Sequence, residues 1–551
     1  MRRELILTTL GAACAYGVPM ASAQVRLDRA DPTITEQALP RPAPVSSDTN
    51  MHGVRVAPVA EGAAAVPPSR IATAILVNGN VKVATGAFAS TLVPYLGRTL
   101  GASDLSQLAG AVADVARRAG YPFASASIPP QPMKDGILHV SLDEGKIAAV
   151  RVIGIASPLA DRILTQALVT DAPVRRGTLE RAILLVSDIP GVTVKGTSYV
   201  RQNGFGILLV TATEDKASAY LQVDNRGSAE VGPIRATMLA SLRGVAQAGD
   251  ELRLIAAATP VEPSEFAFLR SVYAAPLDAR GSMATVSASV GRANPGASLK
   301  PLDVVGNSVD VALGYVRPLL RSRRRSAWAS VELRALKSDQ ALSGTMLRND
   351  RIVTLTGTIN GTGNVGPGVV RGEISMVGGL PVEGVSHEGD PRTSRSDGDA
   401  RFVTWGYTID WSAGVFGPFS VTVASSGQLA SRPLLATAEI GAGGPAFGRA
   451  YDYAERTGDQ GILGSVELRA DLGRVDGGPD RVQLYGFVDG GYVDNLRDGP
   501  GGGSLLSTGT GAKLGYGVLD GMIEVAFPLN ADRFDTNSKR PRVSFRVART
   551  F

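Results

Sequence analysis

The chain has 551 residues, of which 44% are hydrophobic and 19% charged, and its net charge is +5. That apolar content is too high for a disordered chain, and so small an excess of positive charge gives no sign of a nucleic-acid partner. One cysteine, Cys14, and three scattered histidines, His52, His139 and His387, leave no basis for a disulfide, an iron–sulfur cluster or another metal centre, so no metal or cofactor is expected.

Arg2 and Arg3, an apolar stretch over 5–20 and Ala21-Ser22-Ala23 read as an export signal covering 1–23, with Gln24 left as the first mature residue. The apolar stretch is interrupted by Gly17 and Pro19 and is too short to span a bilayer as a helix. Residues 24–70 begin with a short helix over 31–39, with Asp31 as N-cap and Pro32 in the first turn. Pro40, Pro42, Pro44, Pro58, Pro67 and Pro68 then make an extended linker.

Residues 71–148 read as a β-α-α-β unit, with strands at 72–77 and 137–142 and helices at 88–100 and 105–118, the first weakened by Pro94. Residues 149–216 repeat the plan, with strands at 150–153 and 206–213 around helices at 158–168 and 179–187. Each unit is a small α+β module. From 217 to 551 helical periodicity gives way to alternation. Ala284, Val286, Ala288 and Val290 share one face and Thr285, Ser287 and Ser289 the other, while Ala329, Val331 and Leu333 oppose Ser330, Glu332 and Arg334. A soluble sandwich alternates too, but this segment is long enough for about sixteen membrane strands with their connections. The last residues put Val543, Phe545, Val547 and Phe551 on one face, as in a closing barrel strand with a terminal aromatic at the membrane interface or in an ordinary edge strand.

Other features carry less. Arg321, Arg323, Arg324 and Arg325 read as a solvated hairpin turn, with lipid headgroups or an acidic passenger segment as the alternative contact. Gly499-Pro500-Gly501-Gly502-Gly503 lacks the Lys-Ser/Thr of a phosphate loop and reads as a flexible connection. No nucleophile elbow and no H-E-x-x-H occurs, so no catalytic residue is assigned and an enzyme is not expected.

The first module carries Gly120-Tyr121, Ala126, Pro129 and Gln131, then Gly136, Leu138 and Glu144-Gly145. The second carries Leu179-Glu180-Arg181, then Leu184-Leu185, Asp188, Pro190, Gly191 and Val192. Asp224-Asn225-Arg226-Gly227-Ser228, with Gly232, opens the long third segment. In these motifs the chain resembles the two-partner secretion transporters, the ShlB/FhaC/HecB haemolysin secretion/activation family of the BamA-like superfamily. The resemblance implies two periplasmic POTRA domains, 71–148 (ShlB-type) and 149–216, followed over 217–551 by a transmembrane antiparallel β-barrel of sixteen strands in a bacterial outer membrane. It implies that the helix near 31–39 plugs the barrel at rest. The implied task is to bind one large unfolded exoprotein, of haemolysin or adhesin type with an N-terminal secretion domain, and pass it through the pore. Outer-membrane lipids and the barrel assembly machinery, the latter through a C-terminal signal at Phe551, are the other implied partners.

The family's lumenal-loop motif, V-R-G-[YF], is matched by Phe447-Gly448-Arg449-Ala450-Tyr451 within its flanking pattern, and a second motif by Phe487, Asp489 and Gly491. Val370-Arg371-Gly372-Glu373 looks similar but lacks the aromatic and comes too early. Ala450 replaces the motif glycine, which matters if that position needs a left-handed backbone. A guanidinium in a narrow lumen needs a carboxylate, which pairs Arg449 with Asp489 and would pin the loop to the barrel wall. In the modules, 136–142 and 206–213 are candidate docking strands for an extended passenger, unless they are interior strands already paired on both sides. A barrel-assembly factor like BamA or TamA is the alternative, disfavoured by having two modules and the Leu184–Val192 motif; a passive porin would lack the modules altogether.

Overall fold

The computed structural model describes residues 27–28, 31–37, 55–56, 71–132, 135–202, 205–497 and 499–551. The export signal expected at 1–23 and the linker prolines lie outside them.

From Ala217 onward sixteen antiparallel strands form one closed barrel, from Ala217–Asp224 to Arg542–Thr550, which pair with each other to complete the ring. The faces decide its environment. A sandwich would bury Val286 and Val290, yet they are 48% and 53% exposed, while Ser289 between them is 4% exposed. The closing strand is inverted in the same way, with Val543 and Val547 outside and Ser544 fully buried. An apolar outer belt around a polar interior suits hydrocarbon, and closure satisfies the backbone groups that a sheet edge would leave unpaired there.

Two small modules precede the barrel. In the first, Ala74–Asn78, Ile137–Asp143 and Ser125–Ser127 form a sheet with Ile137–Asp143 in the middle. The helix Ala102–Arg118 lays Leu105, Leu108, Val112 and Val115 against it. The helix expected at 88–100 is replaced by a short helix, Ala89–Leu92, between two 3-10 turns, Thr85–Phe88 and Val93–Tyr95. Pro94 has no N–H for an α-helical bond and its ring restricts the residue before it, which stops the helix there.

The second module orders its strands Arg55–Val56, Val192–Gln202, Phe205–Glu214 and Ala149–Ile153, packed under helices Pro158–Leu168 and Arg176–Ser187. Two of these strands escape the sequence pattern. Arg55–Val56 comes from the linker and adds in parallel to the sheet. Val192–Gln202 carries a register shift between Val194 and Gly196, which breaks its alternation. The topology decides between the two readings of 136–142 and 206–213 in favour of interior strands: Ile137–Asp143, which covers the first segment from 137 on, and Phe205–Glu214, which contains the second, each lie between two neighbouring strands. Among the described residues the edge strands are Ala74–Asn78 and Ser125–Ser127 in the first module and Arg55–Val56 and Ala149–Ile153 in the second.

Candidate functional site

The barrel interior is occupied by two separate parts of the chain. The first is the connection 431–459 between strands Phe419–Ala430 and Gln460–Gly473, braced by a hairpin of Ile440–Ala442 with Arg456–Gly458. Its tip reaches the inner wall. Arg449 Nη1 lies 2.6 Å from Glu467 Oε2 and 3.4 Å from Glu524 Oε2, and its Nε lies 3.0 Å from Asp489 Oδ2. These carboxylates sit on three different barrel strands and are nearly inaccessible. The Arg449 backbone N–H also donates to Asp489 Oδ1 at 3.2 Å, and the guanidinium lies 4.0 Å above the Phe487 ring. Burial opposes the charge, but Glu467, Asp489 and Glu524 outweigh it and hold Arg449 above its ordinary value.

The flanking residues fix the tip. Tyr451 is buried, its hydroxyl 3.2 Å from the carbonyls of Leu506 and Ala531. Phe447 packs against the apolar cluster that holds Tyr451, Tyr485 and Phe487. A Cβ on Gly491 would lie 2.3 Å from the Leu463 side chain and 2.7 Å from the Ile462 carbonyl oxygen, so the wall has no room for a side chain there. Gly448 has φ +80°, and a Cβ there would lie 3.2 Å from the Gly443 Cα, so the family's valine would be strained at this position. Ala450 adopts no left-handed φ and is fully buried, so its methyl costs nothing conformationally. Arg371, in the other motif-like run, lies on a barrel strand and contacts Asp410 on its neighbour at 3.3 Å.

The second occupant is the helix Pro32–Gln37. Asp31 caps it, its Oδ1 accepting from the Thr33 N–H at 2.8 Å. Asp28 pairs with Arg348, and Ser338 donates to Asp31. Glu36 Oε1 lies 2.7 Å from Arg270 Nη1. The helix also touches the loop, since the Tyr453 hydroxyl donates to Gln37 Oε1 at 3.1 Å and Ile34 packs on Ala436 and Ala454. Burial raises the carboxyls of both Asp28 and Asp31.

The module motif residues are taken up largely by joints. Glu144 accepts from the backbone of Lys82 and Val83 and so holds that turn, while Gln131 both donates to and accepts from the backbone of His139. Gly120, at φ +101°, ends the helix Ala102–Arg118, and its carbonyl accepts from Arg176 of the second module at 2.8 Å. Tyr121 lies under the Arg175 guanidinium at 5.8 Å, and Gly145, whose carbonyl accepts from Val174, leaves room for Phe123, which stacks on Tyr199 at 4.3 Å. Pro129 accepts from the Gln131 side chain at 3.3 Å.

The second module meets the barrel through its own motif. Asp188 takes both Nε and Nη2 of Arg321, at 2.8 and 2.7 Å, Glu180 accepts from the Arg323 N–H, and Arg181 donates to the Pro318 carbonyl at 3.2 Å. Pro190 and Gly191, the latter at φ +79°, turn the chain directly after this contact. Arg321 is therefore no solvated turn residue: it is 2% exposed, whereas Arg323, Arg324 and Arg325 are exposed. Asp188→Ala strands that guanidinium at the junction. Limited proteolysis of the full chain in membranes is expected to release the modules several-fold faster than from the parent; an unchanged rate would remove the junction's importance.

Glu467 was marked in the sequence only as part of the pattern flanking the lumenal-loop motif, with no role assigned, and Glu524 was not singled out. The signal for Glu524 is a carboxylate set directly within the apolar run Met522-Ile523-Glu524-Val525-Ala526 of the strand Leu519–Pro528. Phe551 ends the chain beside the first barrel strand, its N–H donating to the Ala219 carbonyl at 2.8 Å.

Comparison with known proteins agrees in family and fold. Residues 206–514 match the model of the haemolysin secretion/activation protein family ShlB/FhaC/HecB, and residues 71–145 match the ShlB-type POTRA domain. A curated relative, the heme/hemopexin transporter protein HuxB of Haemophilus influenzae (strain 86-028NP), is 23% identical over 403 residues, covering 72% of this chain and 71% of the relative. Among solved structures, CdiB from Escherichia coli superposes with a TM-score of 0.69 at 16% identity, covering 97% of this chain and 98% of the other. CdiB from Acinetobacter baumannii gives 0.63 at 16% identity over 96% and 99%. BamA from Haemophilus ducreyi lacking POTRA domains 1–3 gives 0.54 at 12% identity over 88% and 100%.

Proposed function

The chain belongs to the haemolysin secretion/activation family ShlB/FhaC/HecB, and from that membership we propose how its residues carry out the family's task. It is a two-partner secretion translocator of the outer membrane, with POTRA modules in the periplasm, a sixteen-stranded barrel in the bilayer and a secreted exoprotein as partner. The work is binding and passage rather than catalysis. The observation that carries the mechanism is the double occupancy of the lumen, by a loop held on Arg449 and by a separate helix held on Arg348 and Arg270. In this reading the helix withdraws for a passenger and the loop sets the width and lining of the path. Lipid meets the apolar outer belt, and the barrel assembly machinery reads the closing strand with Phe551.

Capture falls to a free edge of the modules. Ala74–Asn78 pairs on one side only, and no described strand lies along its other side. Leu76 on that strand is 47% exposed, with Ile71 and Leu96 also exposed in the same module. An extended passenger gains backbone hydrogen bonds from the edge and an apolar anchor from Leu76, with little demand on its own sequence. Leu76→Glu is expected to lower the amount of passenger released several-fold while the barrel stays folded. Phe205→Glu, at an exposed position of the second module, should leave release unchanged. Normal release from Leu76→Glu would rule out capture at this edge and direct it to the edge Ala149–Ile153 of the second module.

A further inference from the structure

Another buried arginine, Arg395, lies outside both lumenal elements. Arg395 belongs to the extracellular connection 380–402 between strands Gly368–Gly379 and Val403–Phe416, and its side chain is 5% exposed. Its Nε lies 2.8 Å from Asp397 in the same loop. Its Nη1 lies 3.0 Å from Glu439 and 2.9 Å from Asp459, one on each stem of the lumenal loop. The same nitrogen donates to Asn495 Oδ1 at 3.0 Å and Nη2 to the Leu496 carbonyl at 2.8 Å, both in the connection 495–502. One guanidinium thus ties three extracellular connections together, using the planar fork that a lysine lacks.

The surroundings are built around it. Asp459 is inaccessible and also accepts from the N–H groups of Leu434 and Leu496, each at 2.7 Å. Ser394 Oγ accepts from the Ala436 N–H at 3.0 Å. Gly499 belongs to the run read from sequence as a flexible connection, but it packs here: a Cβ on it would lie 2.4 Å from Arg395 Nη2. Beside this polar knot, Val385, Ala400, Phe402, Leu434 and Leu435 close an apolar cluster with Ile352. Burial pushes the Glu439 carboxyl up to about 8, with Asp28 adding to the effect.

We infer that Arg395 is the latch of an extracellular gate, a closed cap of three connections that must part to let the passenger leave the barrel. The inference rests on the secretion reading above and concerns a device separate from both the Arg449 contact and the plug. Without the guanidinium, Asp397, Glu439 and Asp459 face one another with no shared cation, and the cap loses its common tie.

The test reads the cap itself. A cysteine in place of Ala436, which is 7% exposed beneath the cap, is labelled on whole cells with a membrane-impermeant maleimide. The sequence's own cysteine, Cys14, lies in the expected export signal. Arg395→Gln is expected to raise the labelling rate at least about tenfold, the factor that ~1.4 kcal/mol makes in an opening equilibrium. Arg395→Lys, which keeps the charge without the fork, should fall between. Arg401→Gln, on an exposed arginine of the same loop that pairs with Asp399, should leave the rate unchanged. Heat-modifiable migration on gels checks that each barrel is folded. Parental labelling of folded Arg395→Gln, or of folded Arg395→Lys should the first variant not assemble, overturns the latch. Normal gating with failed secretion would count against the secretion reading alone.

Discussion

Arg449→Ala is expected to cut passenger release at least tenfold while the barrel still assembles. The guanidinium joins three buried carboxylates, but they do not depend on it equally. Glu467 keeps Arg469 at 2.6 Å and Lys513 at 3.7 Å, and Glu524 keeps Arg226 and the Tyr485 hydroxyl. Asp489 has no other cation among the described residues; it retains the Ser507 hydroxyl and a backbone N–H. Leaving one charge of a buried pair unmatched costs about 3–5 kcal/mol, more than enough to shift a loop from one position to another. Because stranding of Asp489 is the main cost, Arg449→Gln combined with Asp489→Asn should recover part of the release lost by either change alone. Quantitative immunoblotting of passenger in the medium checks both statements. Equal release from parent and Arg449→Ala would show that the loop is held by Tyr451 and its apolar neighbours instead.

Deleting residues 27–37 is expected to turn a largely closed channel into a steadily conducting one. The helix fills the lumen through Asp28–Arg348, Glu36–Arg270 and the apolar contact of Ile34. Hydrogen bonds between charged groups contribute about 1.5–3 kcal/mol each. If the sum is only ~3 kcal/mol, the helix is seated about 99% of the time, so its removal raises mean conductance by up to about a hundredfold. Planar-bilayer recording of the purified chain measures this directly. The parental conductance after deletion would mean that the loop and the extracellular cap close the pore without it.

The barrel was legible because its chemistry repeats every second residue. Val286, Ser287 and Ala288 say which faces differ, and only the environment of those faces, lipid or core, needed coordinates. The long helix of the first module was legible through the helical spacing of Leu105, Leu108, Val112 and Val115, whereas the helix expected at 88–100 shrank to Ala89–Leu92 ahead of Pro94. Strand order was not: a strand's own pattern does not say whether its neighbours lie on one side or two. Whether 136–142 and 206–213 were edges or interior strands therefore stayed open until the sheet order placed both strands between two neighbours.

At the lumenal site, the resemblance to the family's two motifs singled out Arg449 and Asp489, and the need of a buried guanidinium for a carboxylate paired them. The sharing of that guanidinium among Glu467, Asp489 and Glu524 depends on which strands the closed ring brings together, which no local pattern records. Arg321 and Arg395 were missed on similar grounds. Arg321 stands in a run of arginines, which is normally solvated, and only the docking of Asp188 gives it a buried partner, while Arg395 carries no local signal and finds its carboxylates only where three connections meet.

The central claim is that this chain passes an exoprotein across the outer membrane, and the most direct measurement is release of that protein. The chain is expressed with the large exoprotein encoded beside it, and passenger is counted in the medium with and without the transporter, and with residues 71–216 deleted. The account predicts release that requires the transporter and is lost with the modules. Passenger retained in the periplasm although the barrel is folded, together with depletion of other outer-membrane proteins when the chain is withdrawn, would contradict it in favour of a barrel-assembly role.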